Sequence, residues 1–304
     1  MQAIIQDTYN GISDLKIREV SDPSISPLST LVRTKYTPVL PYDWRTETGE
    51  LQQIRPVQLP IVIGYGFAGI VEKVGGLRNS DLVGKKVIGA SMSGSASTLI
   101  DSRIPPLLFP VPENVELKDA ATIIGGADAA LGIINRTHIK SSDVVLLTGA
   151  SGGIGTYLIQ LLKQMSTKVI AVGHSSNIEF LEQLGADAVV DYTDDIFQQL
   201  QKIGSVTKVI DTAGSIRILE MVSNIFPASA IISVAITNFN SKQFSFIHPN
   251  IYPSDYQNLL KMLSTGELHS YIQEVFDYRD VIQAQTLSRD THSQGRILLK
   301  YDSY

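Results

Sequence analysis

A β-branched run, Val144–Leu147, leads into Thr148-Gly-Ala-Ser-Gly-Gly-Ile-Gly155 and then into a stretch with helical apolar spacing. Four glycines in eight residues, placed where a strand gives way to a helix, leave few ways to fold. Gly152 permits close backbone approach to a pyrophosphate, Gly155 permits close packing of the helix on its strand, and the N–H groups of the first helical turn face an anion. Standing alone, the string suits a structural turn as well as a phosphate cradle; its surroundings decide.

Those surroundings repeat one unit. Val144–Leu147, Val169–Val172, Ala188–Val190, Val209–Asp211, Ala230–Val234 and Phe244–Ile247 read as strands separated by longer amphipathic stretches. After the first strand, Ile154, Tyr157, Leu158, Leu161, Leu162 and Met165 recur at helical spacing. After the second, Ile178, Leu181 and Leu184 do the same, with Ser176 or Asn177 as N-cap and Gly185 just past the end. Alternating units of this kind build a parallel sheet, and six such strands complete a dinucleotide-binding (Rossmann) fold. In that context Ala150, Ser151, Gly152, Gly153, Ile154 and Gly155 are expected to hold a pyrophosphate.

The first 120 residues differ: short strands are punctuated by Gly64, Gly66, Gly69, Gly75, Gly76, Gly84 and Gly89, with no long helical periodicity. A mostly-β domain is expected there. From about Asn258 the tail holds one more helical stretch and ends in the strand-like Arg296–Tyr301, expected to rejoin the β domain. The expected division is 1–120 with 258–304, and 121–257.

Composition narrows the partners. A net charge of −5 with no run of basic residues interleaved with aromatics argues against nucleic acid. The absence of cysteine rules out disulfides and thiolate zinc sites, and His138, His174, His248, His269 and His292 lack ligand spacing, so no metal site is expected. The uncharged stretches 144–162 and 222–241 are broken, the first by Thr-Gly-Ala-Ser-Gly-Gly and the second by Ser, Asn and Pro227, and read as strand–turn–helix and strand–loop, not as membrane spans. No targeting pattern is visible in Met1-Gln-Ala-Ile-Ile-Gln-Asp, so a cytoplasmic location is expected.

The glycine string also fits the short-chain dehydrogenase pattern through Thr148, Gly149, Gly153 and Gly155. Those enzymes carry the turn near the N-terminus and a Tyr-x-x-x-Lys pair downstream, where lysine lowers the tyrosine pKa for proton transfer. Here 147 residues precede the turn, and no later tyrosine has lysine four positions on; Tyr256 with Lys261 misses by one. That alternative fails.

A β domain followed by Ala150-Ser-Gly-Gly-Ile-Gly155 resembles the medium-chain dehydrogenase/reductase superfamily, in particular its zinc-free quinone-reductase branch. Supporting stretches include Pro41-Tyr-Asp-Trp44, Ile63-Gly-Tyr-Gly-Phe-Ala-Gly-Ile-Val-Glu-Lys-Val-Gly75, Asp211-Thr-Ala-Gly214 and Gly295-Arg-Ile-Leu-Leu-Lys300, in the family's order. The resemblance implies a GroES-like mostly-β domain beside the Rossmann domain. In the zinc alcohol dehydrogenases of this superfamily, cysteine and histidine ligands stand where this chain has Leu40 and Tyr65. Without that Lewis acid the resemblance favours hydride donation to an already electrophilic quinone or α,β-unsaturated carbonyl, a reaction that needs mainly positioning. Other departures are Leu40 where zinc-free relatives usually have Asn, Gly66 where they have an acidic residue, and Asp128 within Ile124-Gly-Gly-Ala-Asp-Ala-Ala130. Asp128 caps a helix or meets solvent, or it is a polar group beside the nicotinamide; the cost of burying an unpartnered carboxylate favours the first.

An acidic residue about 20 residues beyond the turn would select NAD by bonding the ribose hydroxyls. This chain has Gly173-His-Ser-Ser-Asn177 instead, hydroxyl and amide donors that favour NADP(H) over NAD(H) or simply cap the next helix. Tyr192 contacts the adenosine end in relatives of this type or is a simple packing residue, and the nicotinamide is expected near Ala213, Gly214, Val234 and Ala235, in the interdomain cleft. Tyr42 and Tyr65 are candidate proton donors or carbonyl-orienting groups, or half-buried packing; Arg45 reads more readily as a solvated residue. Alternatives to a quinone or enone reductase are a non-catalytic NADPH-binding protein of crystallin or redox-sensor type, and an enoyl-thioester reductase. An apolar edge at Phe244–Ile247 suggests a homodimer.

Overall fold

The computed structural model describes residues 1–53, 56–103, 107–291 and 293–301. His292 and residues 302–304 of the expected β-rich domain lie outside them. In chain order the strands are β1 (Gln2–Gln6), β2 (Lys16–Glu19), β3 (Thr30–Val39), β4 (Ile61–Val62), β5 (Gly66–Val74), β6 (Lys86–Ala90), β7 (Leu99–Asp101), β8 (Leu108–Pro110), β9 (Val144–Thr148), β10 (Lys168–Gly173), β11 (Ala188–Asp191), β12 (Lys208–Asp211), β13 (Ala230–Ser233), β14 (Phe244–Phe246), β15 (Ile272–Asp277) and β16 (Arg296–Lys300). The helices are α1 (Pro41–Glu47), α2 (Leu117–Ala121), α3 (Asp128–Thr137), α4 (Gly155–Gln164), α5 (Ile178–Gln183), α6 (Ile196–Lys202), α7 (Ile216–Ile225), α8 (Pro253–Thr265) and α9 (Val281–Asp290).

The chain divides into two units. One comprises Met1–Gly125, Pro253–Thr291 and Arg296–Tyr304; the other comprises Gly126–Tyr252 and His292–Gly295. The first is mostly β, with a seven-stranded sheet in the order β15-β16-β3-β5-β6-β8, β7 pairing on β3, and a small sheet β2-β1-β4. Alternation explains the central strands: Val32, Phe67, Val71 and Val87 share one buried cluster with Ile100 and Leu108.

The second unit is a six-stranded parallel sheet in the order β11-β10-β9-β12-β13-β14, the Rossmann arrangement expected from the alternating pattern. Near-continuous apolar runs such as Val145-Leu146-Leu147 are fully buried, as strands covered on both faces require. Leu146, Ile170, Val209 and Ile231 meet Leu200 of α6 and Leu219 and Val222 of α7 in one cluster. Each such buried Leu or Ile contributes about 2 kcal/mol over leaving it exposed. The chain runs outward from β9 to β11 and then crosses to β12 on the other side of β9, so the strand order reverses between β9 and β12. Ligands of open parallel sheets bind outside the strand carboxyl ends at such a reversal.

The tail differs from the sequence expectation of one helical stretch. It holds α8 and α9 with β15 between them, and β16 pairs antiparallel with β3 in the β-rich unit. Helix α9 escapes pattern reading because it buries only Val281, Ala284 and Gln285, too sparse a stripe to stand out. Among the described residues no helix is long and apolar enough to cross a membrane.

Candidate functional site

At the carboxyl end of β9 the backbone turns through Gly149, whose φ of +66° is open mainly to glycine. The Gly152 N–H closes the turn on Gly149 O at 3.1 Å, and the Thr156 N–H bonds back to Gly152 O at 3.0 Å as α4 begins. The glycines do different jobs. A Cβ on Gly155 would lie 2.3 Å from Gly149 O and 2.4 Å from Ala150 O, so the helix could not approach its strand. A Cβ on Gly152 would meet nothing nearer than Gly149 O at 3.4 Å and Ser293 Oγ at 3.7 Å. Internal packing therefore does not demand glycine at 152; the bare backbone leaves a cradle over the start of α4. The first turn of α4 carries no acidic side chain; its Thr156 and Leu158 N–H groups are bonded to Gly152 O and Ile154 O, so what faces an anion is the backbone of residues 153–155 and the positive end of the helix dipole. That donor set fits a pyrophosphate.

Of the turn residues, Ala150 is fully buried and offers only its backbone, whereas Gly153 and Ile154 are half-buried. Ser151 links the turn to two distant segments. Its Oγ accepts from Asn177 Nδ2 at 3.0 Å, and its carbonyl accepts from the Gly295 N–H at 2.7 Å. Gln294 Nε2 in turn donates to Asn177 Oδ1 at 2.7 Å. Asn177 is thus 1% exposed and engaged through both amide atoms, a strut behind the turn.

Gly173 ends β10, where a Cβ would meet Leu181 Cδ1 at 2.5 Å. His174 follows, and its Nδ1 accepts from the Ser176 N–H at 3.2 Å, capping a short 3-10 turn on which Ser175 and Ser176 are exposed. Tyr192, just beyond β11, meets the His174 ring edge-on at 5.8 Å between centroids. Burial, and secondarily the neighbouring Asp191 charge, raises its hydroxyl above the usual phenol range. No carboxylate stands at the end of β10, although Asp191 ends the adjacent β11 opposite Gly173.

On the other side of β9, Ala213 is exposed and Gly214, Val234 and Ala235 are half-buried at the same sheet edge. Sequence reasoning placed these four at the site but missed what holds them. Asp211, 0% exposed, accepts at Oδ1 from Thr148 Oγ1 at 2.6 Å, Ala213 N at 3.2 Å and Gly214 N at 2.9 Å. Its Oδ2 accepts from Ser233 Oγ at 2.6 Å, and Ser233 Oγ accepts from the N–H groups of Ala235 and Ile236, both at 3.0 Å. One buried carboxylate thereby ties together the ends of β9, β12 and β13. The available signal was a charged residue closing an apolar strand, Val209-Ile-Asp211.

The candidate substrate residues are distributed between the units. In the β-rich unit, Tyr42 lies on α1 and is 40% exposed, and Tyr65 immediately precedes β5. Arg45 is ion-paired with Glu50 at 2.6 Å on the surface. Leu40, 6% exposed, packs on the kinked turn at Gly125, where a Cβ would lie 2.9 Å from Leu40 Cδ2. Gly66 admits no side chain: a Cβ would sit 2.6 Å from Ile124 Cγ2 and 3.2 Å from Pro38 Cγ. The missing acidic residue at 66 and the bulk of Ile124 are therefore one linked feature. Asp128, in the other unit, begins α3; it is 6% exposed and its Oδ1 accepts from the Ala129 N–H at 2.6 Å, so it is a first-turn carboxylate that does not face solvent. Among the described residues there is no group of three or more His, Asp or Glu able to hold a metal ion.

Two family descriptions match this chain: an alcohol dehydrogenase GroES-like domain over residues 26–103 and a zinc-binding dehydrogenase over residues 153–264. The chain is 30% identical over 201 residues to a chloroplastic quinone-oxidoreductase homolog of Spinacia oleracea, covering 63% of this chain and 61% of that protein. It is 28% identical over 244 residues to a 2-methylene-furan-3-one reductase of Solanum lycopersicum, covering 72% of this chain and 62% of that one. The matches thus span about three fifths of these relatives' lengths. A quinone oxidoreductase structure from Coxiella burnetii superposes with a TM-score of 0.87 over 99% of both chains at 23% identity, a likeness of fold. In both of its units the chain is thus similar to the medium-chain dehydrogenases/reductases, and the relatives it matches are named as a quinone-oxidoreductase homolog and an enone reductase.

Proposed function

We propose that this chain is an NADPH-dependent reductase of quinones or α,β-unsaturated carbonyls. The observation that carries the reading is the Gly152 cradle over the start of α4, at the strand reversal between β9 and β12. Residues 150–155 would hold the pyrophosphate through backbone N–H groups. His174, Ser175 and Ser176 would meet the ribose end, where hydroxyl donors and the absence of a carboxylate from the end of β10 favour a 2′-phosphate over a bare hydroxyl. Ala213, Gly214, Val234 and Ala235 would line the nicotinamide. The bound cofactor would supply a hydride; Tyr42 and Tyr65 are the candidates to orient the acceptor's carbonyl or deliver its proton.

The acceptor class rests on chemistry and on the relatives. A quinone and a 2-methylene-3-one are both electrophilic without a Lewis acid, so positioning suffices. With leucine at position 40, an apolar group stands where the zinc enzymes of the superfamily place a ligand.

The test is a fluorescence titration of NADPH against NADH, followed by NADPH oxidation with a panel of quinones and enones. We expect NADPH to bind about tenfold more tightly than NADH, as a charge-assisted contact to the extra phosphate implies. Gly152→Val should abolish binding by filling the cradle. Unchanged binding in that variant would remove the turn as the site, and tight binding without turnover on any acceptor would leave a non-catalytic dinucleotide protein.

A further inference from the structure

The Asp211 network has a charge that organising three loops does not require. Four donors converge on the carboxylate, and the Ser233 hydroxyl, already accepting from two backbone N–H groups, has its own hydrogen directed at Oδ2. A shell made up of donors is what an ionised carboxylate, which can only accept, needs and a carboxylic acid does not. Among the described residues no Lys, Arg or His is hydrogen-bonded or ion-paired to Asp211, so its donors hold the charge in place without neutralising it. A neutral asparagine or serine could also have capped the loops.

We propose that the Asp211 carboxylate is an electrostatic positioning group that biases the site toward the oxidised form of a nicotinamide cofactor. The inference rests on the dinucleotide reading above and extends it to the ring end of the site. Giving up a hydride leaves the nicotinamide ring with a positive charge that the reduced ring lacks. Asp211 sits directly behind the loops 213–214 and 234–236 and is wholly removed from solvent, so its field reaches that sheet edge with little screening by water or salt. The fixed anion favours the cationic ring over the neutral one and thereby favours hydride donation. Thr148 and Ser233 keep the charge at a constant depth, and the Ala213 and Gly214 N–H groups, turned inward, face it and not the ligand.

The reduced and oxidised cofactors make the same adenosine and pyrophosphate contacts, so the ratio of their dissociation constants isolates the ring. Calorimetric titrations of NADP⁺ and NADPH with the full chain test the proposal. Wild-type protein should bind NADP⁺ at least as tightly as NADPH. Asp211→Asn should shift the ratio about tenfold toward NADPH, a coupling on the scale expected for a buried charge near a charged ring. Ser233→Ala, which keeps the charge but frees a loop, should weaken both ligands together and leave the ratio unchanged. A ratio unmoved by Asp211→Asn overturns the proposal while leaving the dinucleotide reading intact. Should that variant fail to fold, as judged by circular dichroism, wild-type protein binding NADPH tenfold or more tightly than NADP⁺ overturns it equally. If wild-type protein binds neither, the dinucleotide reading falls, and this inference falls with it.

Discussion

Glu47 stands in an environment that a carboxylate disfavours. It closes α1, is 0% exposed, and accepts one hydrogen bond, from Gln285 Nε2 at 2.9 Å, while its Oε2 finds no donor. Burial, opposed by the Gln285 bond and reinforced by the nearby Asp43 charge, pushes its carboxyl up to about 8. The folded chain therefore binds a proton that the unfolded chain, with an ordinary glutamate near 4.5, has already released. Stability from this site is fully present below the unfolded value and is lost as pH rises through about 8, with a slope of at most about 1.4 kcal/mol per pH unit. Glu47→Gln keeps the shape and the bond from Gln285 but cannot ionise. Thermal melts from pH 5 to 9 should show the wild type losing stability across that range and the variant losing less; parallel curves would mean the carboxyl is ionised in the folded state. Nothing in Trp44-Arg-Thr-Glu47 announces this. The partner lies 238 residues away, and sequence pattern is blind to pairing at that range.

At the scale of elements, local physics was readable and long-range joinery was not. All six strands of the parallel sheet, with α4 and α5, follow from β-branched runs alternating with helical spacing, because parallel strands are buried on both faces and their helices on one. The glycine turn was legible for the same reason: its constraint at Gly155 comes from carbonyls five and six residues away. The segment 293–295 was not. It returns to the Rossmann unit, with Gly295 bridging Gly152 and Gln294 bracing Asn177, through contacts 117 to 144 residues apart. Gln294→Ala would leave Asn177 Oδ1 with only the weaker Ser176 Oγ contact at 3.4 Å and would loosen the strut behind Ser151. We expect cofactor affinity to fall roughly fivefold, the worth of about one hydrogen bond, with the melting temperature changed by no more than a few degrees. A variant that binds as tightly as wild type would show that the turn holds its shape unaided.

At the scale of the molecule, the sheet of the Rossmann unit ends at β14, with no further strand paired to it among the described residues. Strand β14 pairs with β13 alone among the described residues, Phe244 and Phe246 are half-buried, and Ser245 between them is exposed. A sheet-edge strand with aromatic side chains and no lysine or proline within it is a template for another strand. A second copy is the simplest occupant, since a twofold axis presents each β14 to the other and continues the sheet across both chains. Ser245 is the middle residue of a three-residue strand, so in an antiparallel pairing it lies near that axis, opposite its own counterpart. Ser245→Lys would then set two like charges against each other at little cost to a single chain, because the position is already solvent-facing. Sedimentation equilibrium should find the wild type dimeric at micromolar concentration and Ser245→Lys shifted toward monomer with an unchanged circular dichroism spectrum. A wild-type monomer would show that this edge is left to solvent, and a variant that remains dimeric would place the interface on another surface.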